Sequence, residues 1–341
     1  MSVYRSVTMA YDYVICVRDH SGNKFGTEPG DPLFLRLPEL SHNAVPVHPL
    51  NPNQRMDRER WFKEIMAESK RDFTREEKRD PTVFGDVLVF LHGYNNSQQI
   101  VMQRHALLKK TLREAGYGGA VISFDWPSNQ LPLNYLEDRS DAKVTALRLV
   151  DCCIERLAEI QQPDCRINVH LLGHSTGAYV IRESFDDADD RNTAGGSDWM
   201  VSQIMFIGGD ISSACLQNGH PDSESLYRHC SRLTNYSNPF DSVLKLSNAK
   251  RVGMAPRVGR VGLPKNASPK AVDVNCGLYY QTLQEKTATS YGTFCHSWHI
   301  GDPTFAQDIL QTMYGDIDRL YLKTRHVAEN GETILTIPVN A

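Results

Sequence analysis

The 341-residue sequence lacks several features that would assign its class at once. It contains no C-x-x-C pair. Its eight cysteines (Cys16, Cys152, Cys153, Cys165, Cys215, Cys230, Cys276 and Cys295) are scattered. In a chain of this length the pattern argues against a disulfide scaffold and for reduced, mostly buried thiols. It also disfavours zinc, and no metal is expected. There is no run of about eighteen apolar residues, so no integral membrane segment is expected. Met1 to Asp19 holds no uninterrupted apolar core and no small-residue cleavage site, so the expected location is cytoplasmic. Neither a P-loop nor a dinucleotide fingerprint occurs, and no cofactor is expected. The net charge is only −4, which gives no global reason to expect nucleic acid or an anionic membrane as a partner. Internal repeats are absent, and nothing in the sequence bears on oligomeric state. With 40% hydrophobic and 23% charged residues the composition is that of a soluble globular protein, of one large α/β domain or two small ones.

The most informative stretch is Ile167 to Phe185, INVHLLGHSTGAYVIRESF. An apolar strand, Ile167 to Leu172, runs into Gly173-His174-Ser175-Thr176-Gly177 and then an amphipathic helix. That is a G-x-S-x-G nucleophile elbow between the elements it requires. The turn is sharp enough to strain the serine backbone. Gly173 and Gly177 are expected because a side chain at either place would collide with the neighbouring strand or helix. The helix N-terminus then aims its amides at the reacting centre. Asp86 to Ser97 is the second such stretch. Val87 to Leu91 reads as a strand buried on both faces, ending in His92-Gly93. In this arrangement the loop after that strand supplies an oxyanion-hole amide, here of Tyr94 or Asn95, paired with the amide of Thr176.

The remaining chain supplies the scaffold. Strand-like runs at Tyr11 to Val17 and Pro32 to Leu37 flank a turn-rich SGNKFGTEPG and predict an edge hairpin. Residues 41 to 53 read as loop. Gln54 to about Lys78 predicts an amphipathic helix with Met56, Phe62, Ile65, Met66 and Phe73 inward and its charges in solvent. A helix from Ser97 to Ala115 leads to a strand at Ala120 to Phe124, stopped by Pro127. The loop onward to Leu136 is apolar enough to line a pocket. Ser140 to about Ile160 predicts a long helix with Val144, Leu147, Val150 and Ile154 buried. After the elbow helix, Asp186 to Ser197 reads as a surface excursion, and strands follow at Gln203 to Ile207, Ser231 to Tyr236 and Ala271 to Tyr280. Ser242 to Val272 has no acidic residue but carries Lys245, Lys250, Arg251, Arg257, Arg260, Lys265 and Lys270. It reads as a solvated irregular loop, with an anion-binding rim as the sharper alternative. A helix is expected at Pro303 to Tyr314 and an edge strand at Glu332 to Val339. The β-α-β-α alternation implies a mostly parallel, doubly wound α/β sheet with helices on both faces.

A serine hydroxyl needs a base within hydrogen-bond reach, normally a histidine whose other ring nitrogen is held by a carboxylate. In this fold the order along the chain is serine, acid, histidine. Asp241, in an Asn-Pro-Phe-Asp turn after its strand, and Asp210, after the preceding one, are the candidate acids. His296 and His299 are the candidate bases, and local reasoning does not separate them. His92, Gly93, His174, Trp126 and Trp298 are candidates for the pocket or its support.

From about Asp86 to Phe305 the chain resembles serine α/β-hydrolases of a widespread bacterial family long catalogued as a domain of unknown function. The marks are His-Gly-Tyr-Asn (92–95), Trp-Pro-Ser (126–128), Tyr135 and Asp138, Gly-His-Ser-x-Gly (173–177), Asp241 before Leu-x-Leu-Ser (244–247), and His-Ser-aromatic (296–298). Thr176 stands where that family often has Met. The resemblance implies an α/β-hydrolase fold and favours His296 as the base; it names no substrate. Residues 1–80 are expected to form a hairpin and helix packed on a catalytic domain of residues 81–341. The expected function is cleavage of a small-molecule or lipid-like carboxylic ester through a Ser175 acyl-enzyme. Thioesterase, lipase or acyltransferase chemistry uses the same residues. The alternative class is a binding module that keeps the fold and uses the basic loop.

Overall fold

The computed structural model describes residues 10–69, 85–128, 135–154, 156, 167–191, 199–249, 255–283, 292–315 and 320–338. Ten strands form one sheet in the order β2-β1-β4-β3-β5-β6-β7-β8-β10-β9. They are β1 (Tyr11–Ser21), β2 (Lys24–Pro38), β3 (Gly85–Leu91), β4 (Ala120–Asp125), β5 (Ile167–His174), β6 (Val201–Ile207), β7 (Cys230–Ser237), β8 (Ala271–Asn275), β9 (Arg325–Val327) and β10 (Thr333–Leu335). Every pairing from β1 through β4, β3, β5, β6, β7 and β8 to β10 is parallel, and only the two edge pairs, β1–β2 and β9–β10, are antiparallel. This is the α/β-hydrolase fold with an N-terminal antiparallel hairpin.

The pleat explains why the central strands are apolar throughout. Val87, Val89 and Leu91 of β3 face one core, while Leu88 and Phe90 face the other. The same alternation runs through Ile204 and Phe206 against Met205 and Ile207 in β6. Helices α1 (Arg58–Ser69), α3 (Tyr135–Leu149), α4 (Thr176–Arg191) and α5 (Pro221–Arg228) contribute to the first core, and α2 (Gln98–Ala115) and α10 (Pro303–Tyr314) to the second. Between α5 and α10 lie α6 (Ser242–Ala249), α7 (Val258–Val261), α8 (Gly277–Thr282) and α9 (Phe294–Ser297). Both large closing helices are capped as their sequences suggest. Ser97 Oγ accepts the Ile100 N–H ahead of α2, and Asp302 accepts the Phe305 N–H ahead of α10.

Several sequence expectations are corrected. The turn-rich SGNKFGTEPG is mostly strand: Ser21 pairs with Lys24, so the turn is Gly22-Asn23 alone, and two register shifts carry the ladder past the polar residues. Asp19 Oδ1 takes up the Glu28 N–H (2.9 Å) in the widened region. The first helix begins at Arg58 and its centre is Trp61, absent from the expected face. Trp61 is fully buried, donates its indole N–H to Leu35 O (2.9 Å), and packs edge-on against Tyr13 and Phe34. Not all of that helix's charges are solvated, since Glu64 accepts from Tyr13 Oη and Arg36 Nη1 of the hairpin. Phe73, expected on the same face, and the boundary at 80/81 lie outside the described residues.

In α3 the buried face is Ala142, Thr145, Ala146 and Leu149; Val144 is exposed and Leu147 half-buried. Small side chains there let α3 approach α4 closely, which hydrophobicity alone does not signal. The helix passes into a π-turn at Val150–Ile154. Asp186 to Arg191, expected as a surface excursion, continues α4. Strand β8 stops at Asn275, whose Oδ1 takes the Gly277 N–H (2.7 Å) and starts α8 instead. The basic stretch is only partly irregular, since it contains α6 and α7. Arg257 is buried against Asp210 (3.1 Å), and Lys270 Nζ donates to the carbonyls of Tyr227 and Cys230. Lys250 and Arg251 lie outside the described residues, as does most of the loop between Pro127 and Leu136. Among the described cysteines, five are buried and Cys215 and Cys295 are half-buried, all as free thiols. No helix of the described residues is long and apolar enough to cross a membrane.

The hairpin is joined to the central sheet by a buried ion pair. Arg18 of β1 grips Asp125 at the end of β4 with two hydrogen bonds (Nε–Oδ2 2.9 Å, Nη2–Oδ1 3.0 Å). Burial alone would push the Asp125 carboxyl up, but the guanidinium holds it well below the usual carboxylate range. Arg18→Ala leaves a buried carboxylate without its cation and is expected to cost about 3–5 kcal/mol in urea unfolding near pH 7. A loss below about 1 kcal/mol would contradict this account.

Asp273 of β8 behaves in the opposite sense. It anchors the chain beside α7 by accepting from Asn235 Nδ2 (2.6 Å), Ser237 Oγ (2.8 Å) and Leu263 N (3.1 Å). Burial nevertheless pushes it up to about 6. A group raised in the folded state stabilises below its unfolded value and loses that contribution as pH rises through the folded value. The stability of Asp273→Asn relative to wild type should therefore increase between about pH 4 and pH 6 and level off above, by up to about 3 kcal/mol. A difference independent of pH over that window would refute it.

Candidate active site

Parallel pairing brings the carboxyl ends of the central strands to one edge. Gly173 is level with Leu91 and Phe206, and His174 with Ile207, which is level with Tyr236. The turns leaving these strands therefore meet there: His92 after β3, Ser175 after β5, Gly208 after β6 and the turn to Asp241 after β7.

Ser175 has φ +56°, in the left-handed region that side chains rarely adopt. Three hydrogen bonds hold it. Its N–H donates to Ile207 O (3.0 Å), and its carbonyl accepts from Ala178 N (3.1 Å) and Asp210 N (3.1 Å). The glycines do what the elbow requires. A Cβ on Gly173 would lie 2.8 Å from Ala178 Cα, and one on Gly177 would lie 2.3 Å from Leu91 O. A Cβ on Gly93 would come within 2.5 Å of Ser175 Cβ, so the loop after β3 rests directly on the serine. Thr176 is buried at the N-terminus of α4 beside it.

Asp241 is fully buried. Its Oδ1 accepts the Leu244 N–H (3.0 Å) at the start of α6, and its Oδ2 lies 2.6 Å from His296 Nδ1. The proton on Nδ1 is thereby committed to the carboxylate, which leaves His296 Nε2 as the acceptor. His296 is fixed from the Ser175 side as well. His174 Nε2–H donates to the His296 carbonyl (3.0 Å), and the two rings pack at 4.8 Å. Burial first, then neighbouring His296 and Arg104, pushes His174 well below the usual imidazole range, so it is a neutral clasp. Gly208, at φ +53°, gives the His296 ring room: a Cβ there would stand 3.0 Å from its Cε1 and Nδ1. The turns that carry Asp241 and His296 are also tied to each other, because Asn238 Nδ2 donates to Cys295 O (3.0 Å). The Ser175 hydroxyl itself makes no hydrogen bond to a described residue.

The remaining candidates separate clearly. Asp210 pairs with Arg257 (3.1 Å). His299 is fully buried, stacked on Trp298 (4.0 Å) and edge-on to Phe305, with neither ring nitrogen bonded to a described residue. Burial first, and then His296, keeps it far below the usual imidazole range. Trp298 belongs to the core with Tyr279 and Phe305. Trp126 is fully buried and stacked on His92; its backbone N–H donates to His92 Nε2 (3.2 Å) and its indole N–H to His92 O (2.9 Å). Both tryptophans and His92 are buried.

Three residues of the site, Asn96, Asn238 and Arg18, are not among the sequence candidates. An Asn-Asn-Ser run and an Asn-Pro pair do carry turn chemistry that marks the first two, whereas Arg18 gives no local signal. Among the described residues, Cys215, His220 and Asp222 approach one another closely enough to share an ion. Asp222 is already paired with Arg182 (3.1 Å), and its N–H is capped by His220 Nδ1 (3.2 Å), so the trio is explained without one.

Residues 66–278 match the profile of the family described as "Alpha/beta hydrolase of unknown function (DUF900)", more than half of the chain. The match contains Ser175 and Asp241 and ends before His296. No curated protein matches the sequence. Similar solved structures include a cutinase-like protein from Cryptococcus sp. (15% identity, covering 70% of this chain and 97% of that one, TM-score 0.36). Others are a putative cell surface hydrolase from Lactobacillus plantarum (11%, 68% and 91%, 0.34) and a fungal esterase from Rhizomucor miehei (13%, 68% and 76%, 0.32). At these scores the likenesses say nothing about substrate.

The elbow geometry makes a signed prediction. Glycine to alanine inside a helix ordinarily gains up to about 1 kcal/mol. Gly177→Ala instead drives a Cβ into backbone oxygens that cannot move aside, and is expected to destabilise by about 1–3 kcal/mol in thermal or urea unfolding. A stabilised variant would rule out this packing of α4 on β3.

Proposed function

The chain belongs to the DUF900 family of alpha/beta hydrolases, and from that premise we propose that it cleaves a carboxylic ester through an acyl-enzyme on Ser175. The observation that carries the proposal is the 2.6 Å hydrogen bond between buried Asp241 and His296 at the same sheet edge as the left-handed Ser175. In the first half-reaction Ser175 Oγ attacks the ester carbonyl carbon as its proton passes to His296 Nε2. The carbonyl oxygen, now an anion, is held by the amide of Thr176 and an amide of the Tyr94–Asn95 loop; such donors are each worth about 10²–10³ in rate. The C–O bond to the alcohol breaks as Nε2–H protonates the leaving oxygen. Water then repeats the attack with His296 as base, releasing the acid and restoring Ser175. Asp241 stabilises the imidazolium throughout and keeps its own charge state.

Thioesterase, lipase and acyltransferase chemistry would use the same groups, and water access to the acyl-enzyme separates them. A binding module built on the basic stretch is less well supported, because two of its cations are spent inside the protein. The cytoplasmic location stays part of the proposal on the strength of the scattered cysteines. The test is hydrolysis of p-nitrophenyl esters from acetyl to palmitoyl by wild type and Ser175→Ala. Wild-type activity is expected to fall at least about 10³-fold in the variant, with acyl-length preference reporting the pocket. Equal rates in the two proteins would exclude Ser175 as nucleophile.

A further inference from the structure

The loop between β3 and α2 is folded around one side chain. Asn96 is buried, and its Nδ2 donates to two consecutive carbonyls, those of Gly93 (2.7 Å) and Tyr94 (3.0 Å). The two hydrogens of one amide nitrogen are thus matched to two acceptors, and the opposite placement of the amide would set Oδ1 against two carbonyl oxygens. Gly93 O accepts a second bond from His92 Nδ1 (2.8 Å). Asn96 is itself anchored: its N–H donates to Ser128 Oγ (3.1 Å), and its carbonyl accepts from Arg18 Nη2 (3.5 Å) of the buried pair with Asp125.

In a planar trans peptide the C=O and the following N–H point in opposite directions. Turning the carbonyls of Gly93 and Tyr94 toward Asn96 therefore turns the N–H groups of Tyr94 and Asn95 away from it. Asn95 is in the left-handed region at φ +55°, and consecutive amides flanking such a residue form a concavity that binds anions. The loop lies on the nucleophile, because even a Cβ at Gly93 would strike Ser175 Cβ. We propose that Asn96 is the positioning residue of the oxyanion site: it touches no reacting atom, but through two carbonyls it aims the Tyr94 and Asn95 amides at the oxygen that becomes charged. This rests on the esterase reading of Ser175.

A positioning role of this kind acts on the tetrahedral state and not on substrate binding. In Asn96→Ala, kcat for the best p-nitrophenyl ester should fall about 10²-fold or more with KM within about threefold. Affinity for an aryl trifluoromethyl ketone, whose adduct on Ser175 carries the oxyanion, should weaken by a similar factor. Asn96→Ser, which keeps one short donor, should be intermediate in both. Each variant is assayed well below its own melting temperature, so that loss of fold is read separately. If kcat and ketone affinity stay within threefold of wild type, or if KM rises alone, Asn96 does not position the oxyanion site. If the wild type neither hydrolyses the esters nor reacts with a fluorophosphonate, the esterase reading fails and this inference fails with it.

Discussion

Ser175 stands at a backbone angle that costs a non-glycine residue about 1–3 kcal/mol, and the surrounding chain is shaped by the need to keep it there. The strain persists because neighbours close every other route. Strand β5 delivers the residue between β3 and β6, the Ile207 carbonyl takes its N–H, and two amides take its carbonyl. The side chains that would collide are missing at Gly173 and Gly177, which lets α4 begin within a residue of the strand's end. The hydroxyl is thus presented at the sheet edge by sterics, before any catalytic partner is considered.

Around that turn several polar groups are buried in pairs, and the pairing gives each of these a single role. Asp210 and Asp241 follow successive strands, yet Arg257 occupies the first and His296 takes the second. Asp125 is held by Arg18 of the N-terminal hairpin, so a segment with no catalytic signature braces the loop that rests on Ser175. His174, next to Ser175 in sequence, grips the backbone of the candidate base. Buried pairs of this kind contribute little net stability when intact, but they fix geometry and are costly to break singly.

The parts of the structure legible in the sequence are those written in local pattern. The two-faced apolar strands, the elbow glycines and the caps of α2 and α10 each depend on residues a few positions apart. The illegible parts depend on partners far along the chain. Val144 fits a core position by period but loses its place to Ala142 and Ala146, because the neighbouring helix decides which face fits. Trp61 lies in a charged segment that hides it, yet it is the centre of the helix–hairpin contact. Arg257 reads as one more solvated cation and is buried, since only the fold brings Asp210 to it. Ser–acid–histidine order narrows the acid and base to two candidates each, and tertiary pairing separates them: Asp241 with His296 on one side, Asp210 with Arg257 and an apolar-packed His299 on the other.

The central claim is that this pairing makes Ser175 an activated nucleophile, and covalent capture tests it without knowledge of the substrate. The native full-length protein is treated with a fluorophosphonate and its intact mass is followed over time, with the adduct located by peptide mapping. The account predicts one phosphonyl group per chain, on Ser175, formed in native protein and abolished by prior unfolding or by His296→Ala. Absence of an adduct, or equal labelling of Ser175 in native and unfolded protein, would contradict it.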